Sequence, residues 1–328
     1  MPEAGAAEQP GRQGTPVTAH RPPSVLITGG AGFIGSNLAR RALARGWRVS
    51  VLDDFSTGYE ANLDGLDLRL VRGSVLDPGK LAEACSDVDS VVHLAALGSV
   101  PRSIADPVSS HHANATGTLL VLEQARRSEV AHVVVSSSSS VYGMNPALPK
   151  QERTWVRPMS PYAVSKLAAE QYTLAYQQSF GLQTMAYRFF NVFGPYQRAG
   201  HAYAAVIPRF IEALLAQRPL LVHGDGTNSR DFTYVGTVCE VLLETVQRQV
   251  TSPEPVNLAF GTNTSLLGLI DTLHELTAIT PEVTFGEPRS GDVPHSQADS
   301  SRLQALFPDL VPVPLAEGLR HTLEWFRR

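Results

Sequence analysis

Cysteine is scarce in this chain: Cys85 and Cys239 are the only two in 328 residues, far apart and in no CxxC pair. That excludes a disulfide framework and a cysteine-rich zinc site, and it suits a reducing compartment. No run approaches the ~18 apolar residues that would mark a membrane span. Residues 1–23, MPEAGAAEQPGRQGTPVTAHRPP, lack the apolar centre of a signal peptide. Rich in Pro, Gly, Gln and Ala, they read as a flexible tail. A large charge excess is missing too. The net charge of −4 indicates no polyanionic partner, so neither nucleic acid nor a membrane is expected. The expectation is a cytoplasmic protein with no metal site.

What is present is a core. Apolar residues make up 43% of the chain. Short apolar runs stand at 24–28, 48–54, 68–73, 90–96, 132–138 and 184–190. Helical segments separate most of them, notably 33–45, 106–128 and 160–180. This alternation predicts βαβ units and an α/β fold, a Rossmann-type doubly wound parallel sheet covered on both faces. After about residue 190 the rhythm changes, with frequent Pro and Gly and short runs such as LLVHG and FTYV. We therefore expect a sheet domain mainly over 24–190. A smaller C-terminal lobe over 191–328 should return some segments to it.

The first strand runs into SVLITGGAGFIGSNLARRAL. Gly29, Gly32 and Gly35 are spaced as GxxGxxG, between a strand and a helix. Glycines permit the tight turn and the close approach of a pyrophosphate, and the helix N-terminus supplies unpaired N–H groups. Asp53 ends the next strand, where a carboxylate can accept hydrogen bonds from an adenosine ribose and would repel a 2′-phosphate. NAD is favoured over NADP.

In SPYAVSKLAAEQY, Tyr162 and Lys166 are four apart in a helix-favouring stretch, so they share a helix face. A free phenol with a pKa near ~10 is a poor base. An adjacent ammonium favours the phenolate, and a positively charged nicotinamide ring would favour it further. The pair alone could equally be a tyrosine and an exposed lysine on an ordinary amphipathic helix. HVVVSSSSSVYG, however, puts serines at the carboxyl end of a strand, where open α/β sheets bind ligands.

TGGAGFIG, HLAA, SSSSVYG, YAVSK, RFFNVFGP and SRDFTYV occur in this order. Together they resemble the extended short-chain dehydrogenase/reductase family, specifically its NAD-dependent nucleotide-sugar 4-epimerases, over roughly residues 24–327. The resemblance implies Tyr162 as catalytic base, Lys166 as its partner and Ser138 at the substrate hydroxyl. It implies a dinucleotide lined by the glycine turn, Phe33, Ile34, Asp53, Ser74, Val75 and Leu94, Ala95 and Ala96. Many relatives carry Asp where Ser74 stands, which puts an adenine contact in question but not the cofactor. It implies substrate contacts at Ser99, Ser138, Ser139, Ser140, Asn191, Val206, Arg230, Arg289 and Asp292. It also implies a homodimer built on helices 106–128 and 160–180.

Dehydratases of this scaffold typically read Thr-Asp-Glu where this chain reads Ser138, Ser139 and Ser140, and UDP-glucuronate decarboxylases keep a Glu at Ser140. Their absence points to C4 epimerisation of a UDP-sugar. An NADH-releasing dehydrogenase or reductase and a non-enzymatic NAD-binding regulator are the competing classes. For the sugar, ALGSVPRSIADP and AYAAVIPRF resemble UDP-N-acetylglucosamine 4-epimerases, while Arg198 stands where uronate epimerases carry an arginine. A planar guanidinium suits a carboxylate, and a solvent-facing or phosphate-binding arginine is the alternative. UDP-glucuronate is narrowly favoured over UDP-GlcNAc and UDP-glucose.

Overall fold

The computed structural model describes residues 22–200, 204–287 and 294–328. Six strands come early in the chain: β1 Ser24–Thr28, β2 Arg48–Asp53, β3 Arg69–Arg72, β4 Ser90–His93, β5 His132–Ser138 and β6 Gln183–Phe189. A seventh, Val256–Leu258, returns from the C-terminal third to the far edge. The order is Val256–Leu258, β6, β5, β4, β1, β2, β3, and every pairing is parallel. Strand order reverses between β1 and β4, which makes the crevice beyond their carboxyl ends the natural ligand site.

All positions of β1 and β5 are buried, as a sheet covered on both faces demands. Alternate residues feed two cores. Val25, Ile27 and Val51 face α1 (Phe33–Ala44) and the later helices, while Leu26, Leu52, Val133 and Val135 meet α2 (Pro78–Cys85) and the helices before and after β5.

The expected helix 106–128 forms in pieces. After a short α3 (Val100–Ala105), α4 is Pro107–His111, α5 is Gly117–Arg127, and a wide π turn joins them over His112–Thr116. The expected helix 160–180 is α6, Pro161–Phe180. Ser160 caps it by accepting the Ala163 N–H at 3.2 Å, and Gly181, at φ +69°, ends it in the left-handed conformation. The run 90–96 leaves the sheet at His93. There the Ala95 backbone crosses so close to Gly29 that a Cβ on that glycine would lie 2.7 Å from the Ala95 nitrogen.

Beyond residue 190 the strands are short. Val192–Phe193 pairs with Thr233–Tyr234, Leu220–His223 with Val283–Gly286, and Ser229–Arg230 with both Thr264–Ser265 and His295–Ser296. Among the described residues no helix is long and apolar enough to cross a membrane.

Candidate active site

One cleft of about 1080 Å³ runs along the carboxyl ends of the strands. At one end lies the glycine turn. Gly29 has φ +70°, and a Cβ on Gly35 would come within 2.3 Å of the Gly29 carbonyl oxygen. Gly32 precedes α1 without a side-chain cap, and no acidic residue occupies the first turn. The α1 N-terminus therefore keeps N–H groups and a positive dipole end for an anion.

Asp53 is buried, and its two carboxylate oxygens accept the Ala31 and Phe55 N–H groups, each at 2.8 Å. Burial is the largest influence on this carboxyl and raises its pKa, against those N–H groups. A carboxylate has about four lone-pair sites, so two remain for ribose hydroxyls. Phe33, Ile34, Ser74, Val75, Leu94, Ala95 and Ala96 line the same end. The Ser74 hydroxyl accepts the Leu76 N–H at 3.2 Å, a turn contact that leaves the wall polar. The turn, the open helix terminus and the buried carboxylate fit an adenosine dinucleotide.

Mid-cleft, α6 sets Tyr162 and Lys166 against the end of β5. The Lys166 ammonium is buried and donates to the Ser136 carbonyl at 2.8 Å and to the Ser136 hydroxyl at 3.3 Å. Burial pulls its pKa down to about 8. Burial pushes the Tyr162 phenol up from 10, and the Ser138 hydroxyl pulls it down. The sequence pattern predicts Lys166 as the group that lowers this phenol. In this geometry Lys166 is turned onto Ser136, and burial dominates. Ser138 accepts the Ser140 N–H at 3.2 Å, and its oxygen and the Ser140 hydroxyl are 2.9 Å apart. Ser139 and Ser140 also line the cleft, and Ser99 does so while capping α3 through the Arg102 N–H.

Several supporting residues escape sequence reading. Asn114, inside the π turn, accepts the Leu97 N–H at 2.8 Å and donates to the Ser165 hydroxyl at 2.9 Å; that hydroxyl donates to the Tyr162 carbonyl at 2.7 Å. The signal in sequence was an amide inside an apolar helix; the extra residue in the turn aims it. His93 lies between Thr28 (2.7 Å from Nδ1) and Thr118 (3.0 Å from Nε2). Thr118 spends its proton on the Asn114 carbonyl, so Nε2 carries the imidazole proton and Nδ1 accepts from Thr28. Burial and the Lys166 charge push His93 down to about 3, so the ring is neutral.

At the other end, Arg230 lines the cleft and donates to the Ser229 and Pro294 carbonyls at 2.9 and 3.1 Å. Asn191, at φ +32°, also lines it, with its amide on the Asp231 carbonyl at 3.2 Å. Buried Asp231 accepts the Gly261 and Ala298 N–H groups and the Thr262 hydroxyl, fastening three segments behind Arg230. Val206 does not line the cleft. As the first residue of the helix Val206–Leu215 it packs on the apolar core, and Ala205 lines the cleft instead. Arg289 and Asp292 lie outside the described residues.

Arg198 is placed differently from the expected sugar contact. Its guanidinium stacks 4.0 Å from the Tyr59 ring centroid, and the Tyr59 N–H donates to the Ala31 carbonyl in the glycine turn. It therefore sits at the dinucleotide end of the cleft.

A family model described as the NAD dependent epimerase/dehydratase family matches residues 25–259. A UDP-glucose 4-epimerase of Mycolicibacterium smegmatis is 37% identical over 310 residues, spanning 92% of this chain and 98% of that protein. A UDP-N-acetylglucosamine 4-epimerase from Methanobrevibacter ruminantium, solved with UDP-N-acetylmuramic acid, superposes with a TM-score of 0.88 at 35% identity, covering 94% of this chain and 99% of that one. A UDP-glucuronic acid 4-epimerase from Bacillus cereus, solved with UDP-glucuronic acid and NAD, gives a TM-score of 0.85 at 28% identity, covering 93% and 99%.

Proposed function

Because the chain belongs to the NAD dependent epimerase/dehydratase family, with NAD as cofactor and the isomerase chemistry of its UDP-sugar 4-epimerases, we propose that it interconverts UDP-glucuronate and UDP-galacturonate at C4 and does nothing more to the sugar. The observation that carries this is the placement of carboxylates. Among the described residues lining the cleft, the acids are Asp53 and Asp54, both at the end of β2. Ser139 and Ser140 stand beside Ser138 instead. Eliminating water from a 4-keto sugar needs a general acid and base near C5 and C6, and serines cannot serve.

NAD supplies a hydride acceptor that returns what it takes. The chain's own residues do the rest. Tyr162 takes the O4 proton while the Ser138 hydroxyl orients that oxygen. Lys166, anchored on Ser136, supplies a buried positive charge on the same helix face as the phenol. Arg230 and Asn191 hold the diphosphate, and the sugar turns about its bond to that anchor, presenting its opposite face. Residues 191–328 thus serve mainly the UDP-sugar, apart from Val256–Leu258 and the helices packed on the sheet.

The test is incubation of purified protein with UDP-glucuronate, UDP-GlcNAc and UDP-glucose, with products separated by anion exchange. C4 epimer is expected, fastest from the uronate, with no accumulated NADH absorbance and no pentose or deoxysugar. Stoichiometric NADH would move the chain to the dehydrogenases.

We also infer a homodimer. Helices α4 to α6 lie on one face of the molecule, and Val108, Val164, Tyr172 and Phe180 on them are exposed. A second copy would cover this apolar surface. Ala169, also on α6, is buried, which leaves the exposed positions to form the contact. Light scattering at micromolar concentration should give a dimer mass; a monomer would sink the assignment.

A further inference from the structure

Lys150 is a charged side chain buried in the cleft wall, with no opposite charge against it among the described residues. It is 5% exposed, and it lines the cleft beside Gly143. Its ammonium donates to the Asn145 carbonyl. Among the described residues no carboxylate pairs with it; of the other cleft cations, Lys166, Arg198 and Arg230 contact Ser136, Tyr59 and Pro294, and Arg102 lies on the short α3. An ammonium has three N–H donors, so two are left over. Burying such a charge costs free energy unless an anion meets it.

The backbone shows which part of the substrate Lys150 faces. The Lys150 N–H donates to the Gln297 carbonyl at 2.8 Å, and its carbonyl accepts the Asp299 N–H at 2.9 Å. Ser296, one residue earlier, is paired in register with Arg230 and lines the cleft. On its other side, Asn145 turns back onto the Tyr142 carbonyl, directly after Ser138–Ser140. Lys150 thus stands between the residues that handle the reacting sugar and the strand that carries the diphosphate arginine.

We propose that Lys150 is the specificity-determining residue for an acidic sugar, receiving a C6 carboxylate on its two spare N–H groups. The inference rests on the UDP-sugar 4-epimerase reading and gives it the carboxylate partner that Arg198, stacked on Tyr59, does not provide. Burial pulls the Lys150 ammonium below its ordinary value, and among the described residues no charged neighbour opposes this. A bound carboxylate would reverse that pull.

Lys150→Met keeps the length and removes the charge. Losing a charge-assisted hydrogen bond should lower kcat/KM for UDP-glucuronate on the order of tenfold to a hundredfold. UDP-glucose, which has no carboxylate, should change by less than about threefold, and inhibition by UDP should not change. Lys150→Arg should keep the uronate preference. If Lys150→Met does not fold, as judged by melting and NAD retention, Lys150→Gln and Lys150→Arg carry the same comparison. Equal losses on both sugars, or weaker UDP inhibition, would place Lys150 on the diphosphate and overturn the proposal. A selective loss on UDP-GlcNAc would place it on an acetamido group and overturn it as well. If the wild-type protein epimerises UDP-glucose but not UDP-glucuronate, this inference fails while the epimerase reading stands.

Discussion

Tyr162→Phe should reduce epimerisation on the order of 10²- to 10⁴-fold while the protein still carries NAD. The substitution removes one oxygen and keeps the ring that fills the wall of the cleft. The dinucleotide end is built from other residues: the Gly29–Gly35 turn, the open α1 terminus and Asp53. None of them touches the phenol oxygen. What is lost is the only group on this helix face that can take the O4 proton. Ser138 remains but is far too weak an acid or base alone. Lys166, held by Ser136, is a donor in this geometry. The pH profile gives a second reading. Burial raises the phenol above its ordinary value, so the basic form is scarce at neutral pH. Wild-type kcat/KM should therefore rise with pH as the phenolate forms, and the rising limb should vanish in Tyr162→Phe. Product separation, with identification of the dinucleotide released on denaturation, measures both parts. Turnover within tenfold of wild type would mean another base operates.

The strands and the cofactor turn were legible because each is written locally. Apolar runs such as SVLIT and HVVVSSS specify buried parallel strands, and the spacing of Gly29, Gly32 and Gly35 specifies the turn. The positions of Tyr162, Lys166 and Ser138 in the cleft were legible for a similar reason, since helix periodicity and a strand end place them. The π turn at His112–Thr116 was not, because one extra residue per turn leaves no mark on composition. Nor was Lys150, whose burial depends on pairing with residues 297–299, far along the chain. Arg198 lines the cleft, but its contact was not legible. Its motif suggested a sugar contact, but a loop arginine is directed by what it packs on, here Tyr59. Val206 failed by one position, since helix phase decides which of Ala205 and Val206 faces the cleft.

Arg188→Met should cost about 3–5 kcal/mol of stability, because it strands a buried carboxylate. Glu170 lies on α6 one turn beyond Lys166, fully buried, and Arg188 on β6 grips it with Nε at 2.8 Å and Nη2 at 2.7 Å. The Ser137 hydroxyl donates to the same carboxylate at 2.7 Å. Arg188 also stacks 4.7 Å from the Tyr142 ring centroid, and the Tyr142 hydroxyl donates to Asn257 at 2.6 Å. The pair therefore ties the helix bearing Tyr162 and Lys166 to β6, and the Ser137 hydroxyl ties the same carboxylate to β5, the strand bearing Ser136 and Ser138. With Arg188 gone, Glu170 keeps the Ser137 hydroxyl and a long 3.5 Å contact from the Gln171 amide, two neutral donors in a site closed to water. At ~2–4 °C per kcal/mol for a chain of this class, melting should fall on the order of 10 °C. The double variant Glu170→Leu with Arg188→Met removes both charges and should regain most of that stability, since a buried pair often adds little over apolar packing. Activity separates the two effects. If the pair only stabilised the fold, the double variant would recover rate along with melting temperature. Because Glu170 also holds α6 to β5 through the Ser137 hydroxyl, kcat should stay low in the double variant while KM for the UDP-sugar stays near wild type. A single variant that melts within a degree of wild type would show that the carboxylate finds another partner.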